Sequence, residues 1–243
     1  MRSSLIQKLW IIIAFAIAMG FLEAIVVVYV RELYYPEGFR FPLKLLPPKI
    51  FNIELIRELT TLIMLASIGM LAGKTKTGKF AWFLLTFGIW DISYYAALKI
   101  FLGWPASLLT WDILFLIPVT WIGPVLAPVI CSLTMILFGL LVINPGDENQ
   151  YVKPNRLSWG LTMLGALIIF TSFILEYTCL MVSEGYFMKG GPSLFDPGFI
   201  EAVTSYIPGK FKWGLFITGE ILIILSLIPM IYQAKNLRIL NYK

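Results

Sequence analysis

The sequence predicts an all-α fold, a polytopic transmembrane helix bundle of about six spans forming one integral membrane domain over residues 1–243. Composition is the first reason: 59% of residues are hydrophobic, 14% are charged and the mean hydropathy is +0.84, outside the range of a soluble domain of this length. The second is patterning, since apolar residues arrive in uninterrupted runs of roughly twenty, the length that crosses a ~30 Å hydrocarbon core. The third is the links between runs, none long or polar enough to be a soluble second domain.

Span 1 covers residues 9–30 behind a short basic start. A signal peptide would carry an apolar stretch of only about 7–15 residues before its cleavage site, and this run continues past Ala16-Ile17-Ala18 for a full membrane thickness. The link that follows, with Tyr34-Tyr35-Pro36, Phe39-Arg40-Phe41-Pro42 and Pro47-Pro48, suits the headgroup level, where aromatic rings settle and proline resists helix. Span 2 covers 53–72, and its Gly69 and Gly73 form a GxxxG, either a close-approach face or a chance match in a glycine-containing run. A tight link with Lys74, Lys76 and Lys79 leads to span 3 at 80–102.

The apolar region 108–143 is too long for one simple crossing, and Pro118, Gly123, Pro124 and Pro128 interrupt it. The expectation is a proline-broken helix at 108–128, with an interfacial or re-entrant half-helix over 108–118 and span 4 at 121–143; two short spans are the alternative. Such a break would resemble the discontinuous helices with which transporters expose backbone to substrate, or a spanning helix that merely bends. A polar link at 144–155 precedes span 5 at 159–182. A longer one at 183–212, with Gly190-Gly191-Pro192 and Asp196-Pro197-Gly198 as turn signals, precedes span 6 at 213–234.

Orientation follows from Lys and Arg in short loops. With the N-terminus in the cytoplasm, the inner segments hold ten of these residues and the outer ones seven. The cleanest contrast sets the three-lysine link against residues 103–112, which have none. Both termini are therefore expected inside. The formal charge of +5 fits basic flanks held against anionic headgroups, and nucleic acid is not an expected partner.

The chain has no histidine, which excludes His-ligated haem, HExxH zinc sites and Ser-His-Asp triads. It carries no Walker A loop, no GxGxxG after a strand and no CxxC, so no cofactor is called for. Cys131 and Cys179 lie inside apolar runs and read as lone buried thiols.

The informative residues are ionisable groups inside spans, where a charge at the bilayer centre costs about 2.5–3.5 kcal/mol on insertion scales and faces protein or water. Asp91 sits near the middle of span 3; Glu23, Glu176 and Glu220 lie in three other spans, nearer their outer ends. Arg57 and Glu58 at the start of span 2 and Lys99 toward the end of span 3 join that layer. Asp91, Tyr95 and Lys99 fall at i, i+4 and i+8 and line one face. Thr162, Gly165, Ser172, Glu176, Cys179 and Ser183 form a polar stripe on span 5. The functional reading is an outward-facing polar cavity that binds protons, cations or an amine. Its structural counterpart has Arg57 and Lys99 neutralising two acids while the rest stay protonated and pack the bundle, although four carboxylates exceed what two bases can pair. Arg57 is expected to pair with an intramembrane carboxylate because its guanidinium cannot deprotonate; snorkelling to the headgroups is the alternative.

The segment GWPASLLTWDILFLIP, followed by WIGPVLAP and preceded by WDISYYAAL, resembles a group of bacterial integral membrane proteins. The resemblance covers about a fifth of the chain. It implies six spans and a bacterial inner-membrane location, and carries no site residue across.

Three functional classes follow. A small proton- or cation-coupled transporter, or a substrate-binding membrane subunit with a small-molecule or cation substrate, accounts for acids on several helices plus a broken helix. A non-catalytic assembly subunit of a larger membrane complex would use the same acids against a membrane protein partner. An intramembrane lipid-modifying enzyme would need carboxylates gathered around Mg²⁺, and Asp91, Asp112 and Glu58 are the near-interface set.

Overall fold

In the computed structural model the described residues are 2–42, 44–143, 152–183 and 204–240, and they form six helices and one short hairpin. The order is α1 (Arg2–Tyr34), α2 (Pro48–Ala72), α3 (Lys76–Leu102), β1 (Trp111–Phe115), β2 (Trp121–Pro124), α4 (Leu126–Ile143), α5 (Arg156–Ser183) and α6 (Trp213–Leu240). All six helices are long and apolar enough to cross a membrane, which defines a multi-pass integral membrane protein. The turn signals expected at 190–192 and 196–198 lie outside the described residues.

Local chemistry sets the helix ends. Pro48 occupies the first turn of α2, where its missing N–H has no helical partner to lose. Thr75 caps α3 by accepting from the Gly78 amide at 3.0 Å. At the other end Gly103 adopts φ +64°, a left-handed conformation that costs glycine little. Lys99 then turns onto that terminus and donates to the carbonyls of Gly103 at 2.9 Å and Pro105 at 2.8 Å.

The half-helix expected over 108–118 is not helical. Residues 111–115 and 121–124 pair instead as antiparallel strands, with Asp112 opposite Gly123 and Ile113 opposite Ile122. Neither the half-helix nor the two short spans describes this region, and the fourth span begins at Leu126 rather than at 121. Pro118 falls in the turn between the strands and Pro128 in the first turn of α4, so both prolines sit where an amide is dispensable. An isolated hairpin is marginal in water. Here flanking bonds from the Val125 amide to Thr110 O (3.0 Å) and from the Leu126 amide to Leu108 O (2.7 Å) extend it, and Ile122 and Val125 are buried.

Helix α3 is the centre of the bundle and packs against α1, α2 and α4; α4 also meets α6, and α6 carries α5. One cluster joins Leu5, Ala72, Trp82, Phe138, Val142 and Ala234, so the start of α1 and the later turns of α6 share one end of the bundle. The hairpin occupies the opposite end. Outward positions such as Leu33, Leu71 and Tyr232 are apolar and exposed, the inverse of a soluble fold.

Lipid is as apolar as the helices, so their association relies on close packing. The GxxxG at the end of α2 supplies it: a Cβ at Gly69 would meet Lys79 O at 2.7 Å, and one at Gly73, the residue that caps the helix, would run into the Lys79 amide. Between α5 and α6, Gly165 and Gly219 face each other, each leaving under 3 Å for a Cβ against the other's carbonyl. Gly165→Leu should therefore lower the thermal unfolding midpoint of the purified protein in detergent, a penalty of about 1–3 kcal/mol for an overpacked contact. Gly160→Leu, at a position with open space beside it, should melt as wild type. Equal melting of the two variants would contradict the close α5–α6 crossing.

Candidate functional site

The inward face of α2 presents Glu54, Arg57, Glu58 and Thr61 at i, i+3, i+4 and i+7, one above another. Arg57 forms an ion pair with Glu23 of α1 through Nη1 and holds Glu54 with two bonds, Nε to Oε2 at 2.9 Å and Nη2 to Oε2 at 2.8 Å. Thr61 donates to Glu23 Oε2 at 2.9 Å. Arg57 is thus paired inside the bundle, as its fixed charge requires, and does not snorkel away. Glu54 had no place in the sequence reading, though its i, i+3 spacing from Arg57 was the signal for it. Glu58 faces the hairpin, and its two carboxylate oxygens accept from the Leu116 amide at 2.9 and 3.1 Å.

A second ion pair was also not apparent from sequence. Arg31, counted there among the loop cations, is buried and reaches Asp112 of β1 at 3.2 Å. Its guanidinium lies 3.9 Å from the Trp104 ring centre and 4.3 Å from that of Phe39, a cation held between aromatic faces. Tyr95 donates to the other Asp112 oxygen at 3.2 Å. In the links nearby, burial raises the hydroxyl pKa of Tyr35 and Tyr206 above the ordinary phenol range, so both remain donors; the Arg31 charge partly offsets the shift at Tyr35.

The deepest acids meet across α4. Ser132 donates to Asp91 Oδ2 at 2.7 Å, and Thr134 donates to Glu220 Oε2 at 2.8 Å. Asp91 therefore bonds to neither Tyr94 nor Tyr95. Lys99 neutralises no acid, being exposed and engaged with backbone carbonyls, so the Asp91, Tyr95, Lys99 stripe divides among three partners. Glu176 is also drawn elsewhere and accepts from the Gly209 amide at 2.7 Å. Of the α5 stripe, Thr162 bonds Ser226 at 2.8 Å and Gly165 and Ser172 are buried, whereas Cys179 and Ser183 are exposed.

Two adjoining cavities organise these groups. An inner chamber of about 350 Å³ is lined by Glu23, Arg57, Glu58, Asp91 and Glu220 among aromatic and aliphatic side chains. A vestibule of about 190 Å³ at the hairpin end is lined by Arg31, Tyr35, Lys44, Glu54, Asp112 and Tyr206. Arg57, Glu58, Tyr94 and Ile113 line both, which puts the Arg57 cluster at the partition. Of the expected site residues, Glu23, Arg57, Glu58, Asp91, Tyr95 and Glu220 come together around the chamber, and Lys99 and Glu176 do not. Among the described residues, four carboxylates there face one guanidinium. The Mg²⁺ set Asp91, Asp112 and Glu58 is dispersed, since each acid faces a different partner and no group of three potential ligands forms among the described residues.

The class so defined is a six-span helical membrane protein with an internal acid-lined chamber. Comparison with protein-family models, curated proteins and solved structures finds no match to this chain.

Removing Arg57 would leave Glu23 and Glu54 buried without a counter-charge, a change worth about 3–5 kcal/mol when one partner of a buried pair is lost. Arg57→Ala should therefore unfold well below wild type in detergent, and adding Glu23→Gln should recover part of the loss. Strict additivity of the two substitutions would contradict the coupling.

Proposed function

We propose that the protein is a small transporter, or the substrate-binding membrane subunit of one, which admits a cationic or protonatable small molecule through the vestibule and couples its passage to protonation of the chamber acids. The observation that carries this reading is the charge balance of the chamber among the described residues, Glu23, Glu58, Asp91 and Glu220 against Arg57. A low-dielectric cavity with surplus carboxylate holds that charge only by taking up protons or a cation. An assembly subunit would turn its acids outward to a partner helix, and these face inward. Lysine asymmetry supports the hairpin end as the external face, with both termini cytoplasmic, and the sequence resemblance supports a bacterial inner membrane.

Asp91 is the residue on which coupling depends most, because it is the acid nearest the middle of its span and its one hydrogen-bonding partner is a hydroxyl. Across the chamber the titratable groups are Glu23 from α1, Arg57 and Glu58 from α2, Tyr94 and Tyr95 from α3, Cys131 from α4 and Glu220 from α6. Purified protein in liposomes enclosing a pH-reporting dye should respond to at least one member of an external panel of Na⁺, K⁺, ammonium and organic amines with a proton flux. Asp91→Asn should fold and insert normally yet reduce that flux at least tenfold. Full flux in Asp91→Asn, or no response to any cation in wild type, would overturn the coupling. Orientation is tested separately: alkaline phosphatase fused after Lys243 or in the 74–79 link should be inactive, and activity at either place would reverse it.

A further inference from the structure

Resting on the reading of the chamber as a ligand site, we infer that its ligand is an organic ammonium with an apolar body, its positive nitrogen seated against Glu220 and its body against the aromatic wall. Glu220 is 5% exposed, and one of its oxygens is satisfied by Thr134. The other, Oε1, is buried with no hydrogen-bond partner beyond the Cys131 thiol beside that carboxylate. A polar atom left in that state is expensive unless something absent from the chain completes it. The nearby Cys131 thiol is only a weak donor. Arg57, the one cation among the described residues that line the chamber, is already committed to Glu23 and Glu54.

The wall selects which cation fits. Rings contact one another from α3 through the hairpin to α5: Trp90 and Phe87 are 5.3 Å apart, Phe87 and Phe115 6.2 Å, Phe115 and Trp121 5.6 Å, and Trp121 and Phe170 5.0 Å. Aromatic faces attract a positive charge that has little hydration to lose, which favours an alkylated ammonium over Na⁺. Mg²⁺ and Ca²⁺ need about six to eight oxygens at short range, whereas the lining is mainly hydrocarbon and ring. Anions are repelled by the surplus carboxylate. A volume of about 350 Å³ lies in the range of small-molecule pockets.

Binding of radiolabelled benzyltrimethylammonium to the purified full-length protein tests the inference. Saturable binding is expected, displaced by unlabelled alkylammonium ions but not by equal concentrations of Na⁺, Mg²⁺ or neopentylbenzene, the neutral carbon isostere of the probe. Glu220→Gln should weaken binding at least tenfold, while Glu32→Gln, which removes the same charge at an exposed position, should leave it unchanged. Absence of saturable binding, equal displacement by the isostere, or wild-type affinity in Glu220→Gln would overturn the inference. Should Glu220→Gln fail to fold, the comparison of cation and isostere on wild type decides alone. Binding without proton flux would leave the ligand class standing and remove transport; flux driven by Na⁺ without ammonium binding would do the reverse.

Discussion

A guanidinium cannot shed its charge, so Arg57 imposes a requirement on everything around it. The bundle meets that requirement with Glu23 from α1 and Glu54 from the preceding turn of α2, and Thr61 completes the cluster by bonding Glu23. Helices α1 and α2 both lie against α3 and make no more than marginal backbone contact with each other, so this cluster is a polar tie between them, with the Lys8 ammonium on the Ala72 carbonyl as another at the opposite end. Its consequence for the other acids is arithmetic. Arg57 uses two of the carboxylates, the hairpin amide of Leu116 occupies Glu58, and Asp91 and Glu220 are left with hydroxyl partners on α4. Carboxylates without a basic partner therefore collect at depth, facing the chamber.

The hairpin explains why there is a chamber for that charge to face. It is wedged at one end of the bundle, secured by Arg31 to Asp112, Tyr95 to Asp112 and Glu58 to the Leu116 amide. Phe115 and Trp121 project its aromatic surface toward Phe87 on one side and Phe170 on the other. Helices α2 and α5, which flank the resulting space, make at most marginal contact. Non-helical backbone is tolerated in a membrane bundle where it is buried in protein or lines a cavity, and this hairpin does both.

The six spans were legible because uninterrupted hydrophobicity of membrane length has one main structural solution; the helix starts at Pro48 and Lys76 lie outside the spans read at 53 and 80, because the polar and proline-bearing first turns carry no hydrophobic signal. The hairpin was not legible. WDILF and WIGP are short apolar runs whose periodicity does not separate a buried strand from a buried helix, and prolines that end a helix serve a strand turn equally well. Glu23, Arg57, Glu58, Asp91 and Glu220 were singled out because charge inside a span demands a partner, and Tyr95 because it shares a helix face with Asp91. Their pairing was less accessible, since i, i+4 spacing on one helix says nothing of which neighbour each residue meets. Lys99 shows the limit: it shares a face with Asp91 in sequence, but its long side chain reaches the carbonyls of Gly103 and Pro105 just beyond its own helix. The pairing of Arg31 with Asp112 escaped notice because both lie at segment ends, where a charge reads as solvated; Asp112 entered only as a potential Mg²⁺ ligand.

The central claim is that the deep carboxylates line a wet, reachable chamber and are not a dry packed network. Hydroxyl-radical footprinting of the protein in lipid nanodiscs measures this directly, because water beside a side chain supplies the radical that modifies it. Trp121 and Cys131, which line the chamber, should be modified far faster than Trp82, which is fully buried in the opposite end of the bundle. Modification of Trp121 and Cys131 as slow as that of Trp82 would contradict the account and leave the acids as packing.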